Sequence, residues 1–305
     1  MMDWSDRHYR YFMRQIAPQA RVYTEMITTG ALLHGDVDRH LAFSAEEHPI
    51  ALQLGGSEPA DLVHGARLGA RYGYDEINLN IGCPSERVQR GAFGACLMAE
   101  PELVARCVQA IRQAVPLPVT VKHRIGIDQV EDYSFVRDFV GTVSQAGCRT
   151  FIVHARNAVL KGLSPKENRE IPPLKYHYVH QLKRDFPQLE IVINGGITTR
   201  AEIEGQLAQV DGVMLGRAAY HDPWVLAEPD KTRAGIVQRM VEYARRHRGV
   251  PLRAIVRHML GLYHGQPHAR LWRRLLSDAE RLKQNRPELL LEALERVESA
   301  EEIGA

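Results

Sequence analysis

Short apolar runs rich in β-branched residues punctuate the chain as far as about residue 218. They are "VYTEM" (22–26), "IALQLGG" (50–56), "EINLNIG" (76–82), "VTVKHRIG" (119–126), "TFIVHAR" (150–156), "IVINGGI" (191–197) and "GVMLGRA" (212–218). Between them, stretches such as 59–72 and 101–115 carry apolar positions at three- and four-residue spacing. Strands alternating with helices at this interval predict parallel βαβ units. A doubly wound sheet would place a Gly-rich turn after its first strand, and none is present. The pattern therefore predicts a (β/α)8 TIM barrel. Seven strands are found, and the first is expected immediately before Met1, in a reading frame that starts upstream.

Beyond about residue 228 the strand pattern stops. "RAGIVQRMVEYARRHRG", "PLRAIVRHMLGLYHG", "HARLWRRLLSDAERLKQ" and "PELLLEALERVESA" read as four amphipathic helices separated by Gly and Pro. The expected organisation is a barrel over 1–228 and a C-terminal α-helical domain over 229–305.

Charge changes the picture in one place. The net charge of the 305 residues is only +2, yet Arg233 to Pro287 holds 13 Lys and Arg against 3 Asp and Glu. A block of this kind is either an electrostatic footprint for nucleic acid or a set of solvated helix faces, and composition alone slightly favours the second. No apolar run approaches a membrane span, and the opening "MMDWSDRHYRYF" does not read as a signal peptide. Cys83, Cys96, Cys107 and Cys148 form no CxxC pair and no metal-ligand spacing, which predicts reduced thiols, a cytoplasmic protein and no metal.

Reactive groups of a barrel gather at the carboxyl ends of its strands. Those ends carry Gln53, Asn80, Cys83, Lys122, His154, Asn194-Gly195-Gly196 and Gly216-Arg217. The last two groups close the final strands, where glycine N–H groups and a helix start commonly hold a phosphate. A lysine on a barrel strand is costly without a partner, so Lys122 is expected to meet a ligand or anion at the mouth. Gln53 and Asn80 are amides able to read a ring with both donors and acceptors, such as a flavin or a pyrimidine.

In "NLNIGCPSERVQRGAFGACLM" a thiol stands between Gly82 and Pro84, directly after a strand. Glycine permits the sharp turn and proline stops the strand, so Cys83 is presented at the rim of the sheet. It is a candidate nucleophile, which would want a lowered pKa, or a general acid, which would keep its proton near neutral pH. The other three cysteines read as small buried hydrophobes.

These stretches, with "YTEMITTGAL", "HARNAVLKGLSPKENREIPPL" and "DGVMLGRAAYHDP", resemble the tRNA-dihydrouridine synthases of the A subfamily over essentially the whole chain. The resemblance implies an FMN-dependent barrel with a helical tRNA-binding domain. Such enzymes reduce D-loop uridines, here positions 20 and 20a, to 5,6-dihydrouridine, with NADPH as reductant. By position, Gln53, Lys122, His154, Asn194, Gly195, Gly196, Gly216 and Arg217 resemble FMN contacts. Met1 and Met2 resemble residues beside the isoalloxazine. Cys83 matches the proton donor, Asn80 a residue at the target uridine, and Lys166, Arg169, Arg270 and Arg273 tRNA contacts. The family pattern has a smaller residue where His123 follows Lys122. The rival readings are an FMN barrel acting on a free pyrimidine, and a tRNA-binding protein with an impaired site.

Overall fold

The computed structural model describes residues 1–304 apart from 86, 87, 89, 90 and 131, so part of the "GCPSERVQRG" stretch lies outside the described residues. Two compact units emerge. One comprises Tyr23–Phe43 and His48–Gly216, the other Met1–Val22, Ser44–Glu47 and Arg217–Ala305.

The first unit is built on the sheet, of which only Val22 is grouped with the other unit. Its strands are β1 (Val22–Tyr23), β2 (Ile27–Thr28), β3 (Ile50–Gly55), β4 (Glu76–Ile81), β5 (Val119–Arg124), β6 (Thr150–His154), β7 (Glu190–Asn194) and β8 (Gly212–Met214). The order is β1-β3-β4-β5-β6-β7-β8, with β2 also on β3, and the ladders from β2 to β8 are parallel. This is the expected succession of barrel strands, with one difference. Of the expected "VYTEM" strand only Val22–Tyr23 forms; Thr24 Oγ1 then accepts the Gln53 N–H at 2.9 Å, and a second short strand follows at Ile27–Thr28.

Helices α2 (Thr29–His34), α3 (Val37–Leu41), α4 (Pro59–Tyr72), α5 (Pro101–Ala114), α6 (Tyr133–Gln145), α7 (Tyr176–Asp185) and α8 (Arg200–Leu207) follow the strands. Two observations fix which strand face meets them. A Cβ on Gly69 of α4 would lie 2.7 Å from Leu52 Cδ2 and 3.0 Å from Ile77 Cδ1, so those two residues face the helix layer. The His123 ring lies 5.0 Å from that of Phe139 on α6. Strand side chains alternate, so Gln53, Asn78, Asn80, Lys122 and Arg124 face the interior. His123 thus fills the helix layer, where burial holds its pKa down at about 4 and Nδ1 lies 2.6 Å from the Arg124 carbonyl.

The second unit is helical: α1 (Arg7–Ile16), α9 (Arg217–His221), α10 (Arg233–Arg246), α11 (Leu252–Val256), α12 (Ala269–Leu276), α13 (Ala279–Lys283) and α14 (Leu289–Gly304). Asp6 caps α1 by accepting the His8 and Tyr9 N–H groups. The expected cut at residue 228 falls inside this unit, which also takes in 1–22 and 44–47. Buried contacts explain the grouping: Arg10 Nε binds Glu47 Oε2 at 2.7 Å, and the Tyr11 and Tyr243 rings stack at 4.0 Å. Of the four expected helices, α10 and α14 match. The second shortens to α11, and the third breaks at Ser277, where Asp278 caps α13 through the Glu280 and Arg281 N–H groups.

Candidate active site

The interior face of β3, β4 and β5 is polar, and its side chains satisfy one another. Thr120 Oγ1 donates to Glu76 Oε1 at 2.6 Å, Asn78 Nδ2 to Thr120 Oγ1 at 2.8 Å, and Gln53 Nε2 to Asn78 Oδ1 at 3.0 Å. Asn80 Nδ2 donates to Gln53 Oε1 at 2.9 Å. Glu76 and Asn78 are fully buried, as such groups can be only when bonded.

At the top of β4, Asn80 Oδ1 accepts the N–H groups of Gly82 and Cys83 at 3.1 and 3.0 Å. The Cys83 carbonyl accepts the Ala95 N–H at 3.0 Å. Gly94 has φ +79°, and a Cβ there would stand 2.6 Å from the Cys83 oxygen, so only glycine permits this approach. The thiol is thus held at both sides of its own backbone. It is half-buried, with Sγ 3.6 Å from Ser85 Oγ.

Positive charge surrounds the strand ends. Lys122 Nζ donates to Asn194 Oδ1 at 3.2 Å, and Asn194 Nδ2 donates to the Met214 carbonyl at 2.7 Å. Burial, with Arg124 adding to it, brings the Lys122 pKa down to about 8. Arg124 donates to backbone carbonyls: Nε reaches Gly82 at 3.2 Å, and Nη1 reaches Asn157 and Asn168 at 3.1 and 2.9 Å. Burial holds His154 well below its ordinary range, and Arg124, Lys122, Arg156 and Arg169 push the same way. His154 is therefore neutral at physiological pH, a donor on one nitrogen and an acceptor on the other.

Beside His154 the chain turns through Gly195 and Gly196, at φ +114° and +73°, a region open to glycine. The Gly195 carbonyl accepts the Tyr176 hydroxyl at 2.6 Å. Gly216 follows β8 in a bend. A basic mouth with bare backbone suits a phosphate-bearing group, and the donor set fits a ring to match. The Gln53 amide keeps one N–H and one lone pair beyond its two partners.

The structure thus brings together Gln53, Asn80, Cys83, Lys122, His154, Asn194, Gly195, Gly196 and Gly216 in the sheet unit. Lys166 and Arg169 are exposed on a loop of the same unit, and Arg169 is near enough to act on His154. The remaining expected residues belong to the helical unit. The Met1 carbonyl accepts the Ser5 N–H at 2.9 Å, Met2 is 60% exposed, and Arg217 opens α9. Arg270 and Arg273 are exposed on α12, whose Trp272, Leu275 and Leu276 are buried. Sequence reasoning missed Arg124 and Glu76. The signal was alternation: Lys122 with Arg124, and Glu76 with Asn78 and Asn80, are two residues apart on strands and share a face.

A parallel α/β barrel sheet with a basic mouth and a thiol fixed at its rim is the arrangement of a barrel enzyme. Comparison with known proteins narrows this. The dihydrouridine synthase family matches residues 1–299. The chain belongs to the dihydrouridine synthase family, a family of flavin-dependent enzymes. It is 56% identical over 307 residues to the tRNA-dihydrouridine(20/20a) synthase of Synechocystis sp., covering 97% of this chain and 92% of that one. The proteins of the same name from Shewanella oneidensis and Salmonella typhimurium are each 56% identical, over 91% of this chain and 86% and 87% of theirs. A solved complex of 2-naphthoyl-CoA reductase with 2-naphthoyl-CoA shares the fold, with a TM-score of 0.56 at 12% identity over 74% of this chain and 46% of that one.

Proposed function

We propose that this chain reduces uridines 20 and 20a in the D-loop of tRNA to 5,6-dihydrouridine, with FMN as cofactor and NADPH as reductant. The observation that carries the reading is the Cys83 thiol, fixed by Asn80 and Ala95 at the rim of a site rich in cations. Gln53, Lys122, His154 and Asn194, with the bare backbone of Gly195, Gly196 and Gly216, would hold the flavin. Arg217, Met1 and Met2 are further candidate contacts by resemblance. Bound there, FMN supplies the hydride that adds to C6 of the uracil.

This chain's own groups handle the charge that results. Negative charge develops at C5 and O4 of the ring, and Cys83 Sγ–H delivers a proton to C5. Asn80 keeps one N–H beyond its bond to Gln53, available to the target base. Reaching the site requires the uridine to leave its stack. Lys166, Arg169, Arg270 and Arg273 are the proposed phosphate contacts, which position the tRNA without reading its sequence. The deciding experiment incubates the purified chain with unmodified tRNA, NADPH and FMN and maps dihydrouridine by mass spectrometry. Reduction at 20 and 20a supports the reading. Reduction of free uracil or orotate but not tRNA, or tRNA binding without reduction, would replace it.

A further inference from the structure

Inside the sheet, Glu76, Thr120, Asn78, Gln53 and Asn80 form one unbroken hydrogen-bond line that ends on the Cys83 backbone. Elementary chemistry fixes its direction. The N–H groups of Gly82 and Cys83 can only donate, so Asn80 must turn Oδ1 to them. Asn80 then presents Nδ2 to Gln53, whose oxygen must face it, and Gln53 in turn presents Nε2 to the oxygen of Asn78. Asn78 Nδ2 occupies a lone pair of Thr120, leaving the threonine hydroxyl with a proton to give. The line can end only on an acceptor, and fully buried Glu76 receives that proton at 2.6 Å. One reversed amide would set donor against donor or acceptor against acceptor, at the cost of an unsatisfied buried group.

We propose that Glu76 is a positioning residue for the active site. As the acceptor that terminates the line, it sets the amide orientation of Gln53 and Asn80 and steadies the Cys83 loop. It acts through Thr120, Asn78, Gln53 and Asn80 and touches no reacting atom. Only the catalytic consequence rests on the redox reading above: the line then decides which face of the Gln53 amide meets the flavin and where the Cys83 thiol points.

The test compares Thr120→Val, Thr120→Ser, Glu76→Leu and Glu76→Gln with the native full chain as purified. Valine removes the hydroxyl at nearly constant shape, serine keeps it, leucine removes the acceptor and glutamine keeps an acceptor oxygen. Alkylation of each cysteine by iodoacetamide at fixed pH is followed by peptide mass spectrometry. Cys107 and Cys148 are buried and report global opening. Thr120→Val and Glu76→Leu are expected to speed Cys83 alkylation by about three- to tenfold, with Cys107 and Cys148 unchanged, as a local opening does. Thr120→Ser and Glu76→Gln stay within about twofold of native, because each preserves its link of the line. In tRNA reduction the same two disruptive variants lose kcat with little change in KM, and the conservative pair restores it.

An unchanged Cys83 rate in folded Thr120→Val, or equal acceleration at all three thiols, overturns the proposal, since the line then serves stability alone. Should Glu76→Leu fail to fold, the threonine pair breaks and restores the same bond and carries the test. A native chain that reduces no tRNA refutes the redox reading and leaves the thiol comparison standing.

Discussion

Gly195 stands against the ring of His154 so closely that a Cβ at 195 would lie 2.5 Å from Cδ2 and 2.9 Å from Nε2. With φ at +114°, the position is closed to other residues on both steric and backbone grounds. Gly195→Ala must therefore displace the imidazole. Expected are a fall of about tenfold or more in FMN affinity and a melting temperature lower by several degrees, for a strain of about 1–3 kcal/mol. Flavin titration and calorimetry check the two effects separately.

Lys122 gives a pH dependence of known sign. Its pKa of about 8 means the ammonium is lost as pH rises from 7 to 9, so FMN affinity is expected to fall over that window. Lys122→Met should weaken binding at pH 7 and flatten the dependence. Without flavin the effect on stability has the opposite direction. An unfolded lysine keeps its proton to about pH 10.4, so between the two values the unfolded chain binds more protons and native stability rises with pH. Lys122→Met removes that rise and should melt at a higher temperature than the native apo chain at pH 7. An apo variant that melts lower at pH 7 contradicts the burial of charge as the dominant effect.

Cys83→Ala is expected to leave flavin binding and reduction by NADPH within about twofold while lowering tRNA reduction by about 10²- to 10⁴-fold, the range of a positioned general acid. Separate stopped-flow measurement of the two half-reactions checks it. Near-native dihydrouridine formation would remove the thiol from the mechanism.

Arg270 and Arg273 lie on the exposed face of α12, opposite buried Trp272, whose Nε1 donates to the Met259 carbonyl at 2.9 Å. Replacing both by Gln removes charge without touching the packed face. The log–log salt slope of tRNA binding should drop by about 0.7 to 0.9 for each lost phosphate contact, with flavin reduction unchanged. Filter binding across a salt series measures it, and an unaltered slope makes the basic block a solvated face.

The succession of strands and helices was legible in the chain, because β-branched runs and three-four spacing are local signals. The strand-end residues were legible too, since His154 and Asn194 stand at the carboxyl ends of β6 and β7, and Lys122 lies two residues before the end of β5. The remaining features follow from contacts between residues far apart in the chain. The unit boundary depends on Arg10 meeting Glu47, 37 residues away. The split of the third C-terminal helix depends on Asp278 capturing the Glu280 and Arg281 N–H groups, which periodicity does not register. Glu76 sits in a strand where charge argues against burial, and it is tolerated because Thr120, 44 residues on, supplies a proton for it to accept. Such a bond exists only once β4 and β5 pair in register, so no local pattern announces it.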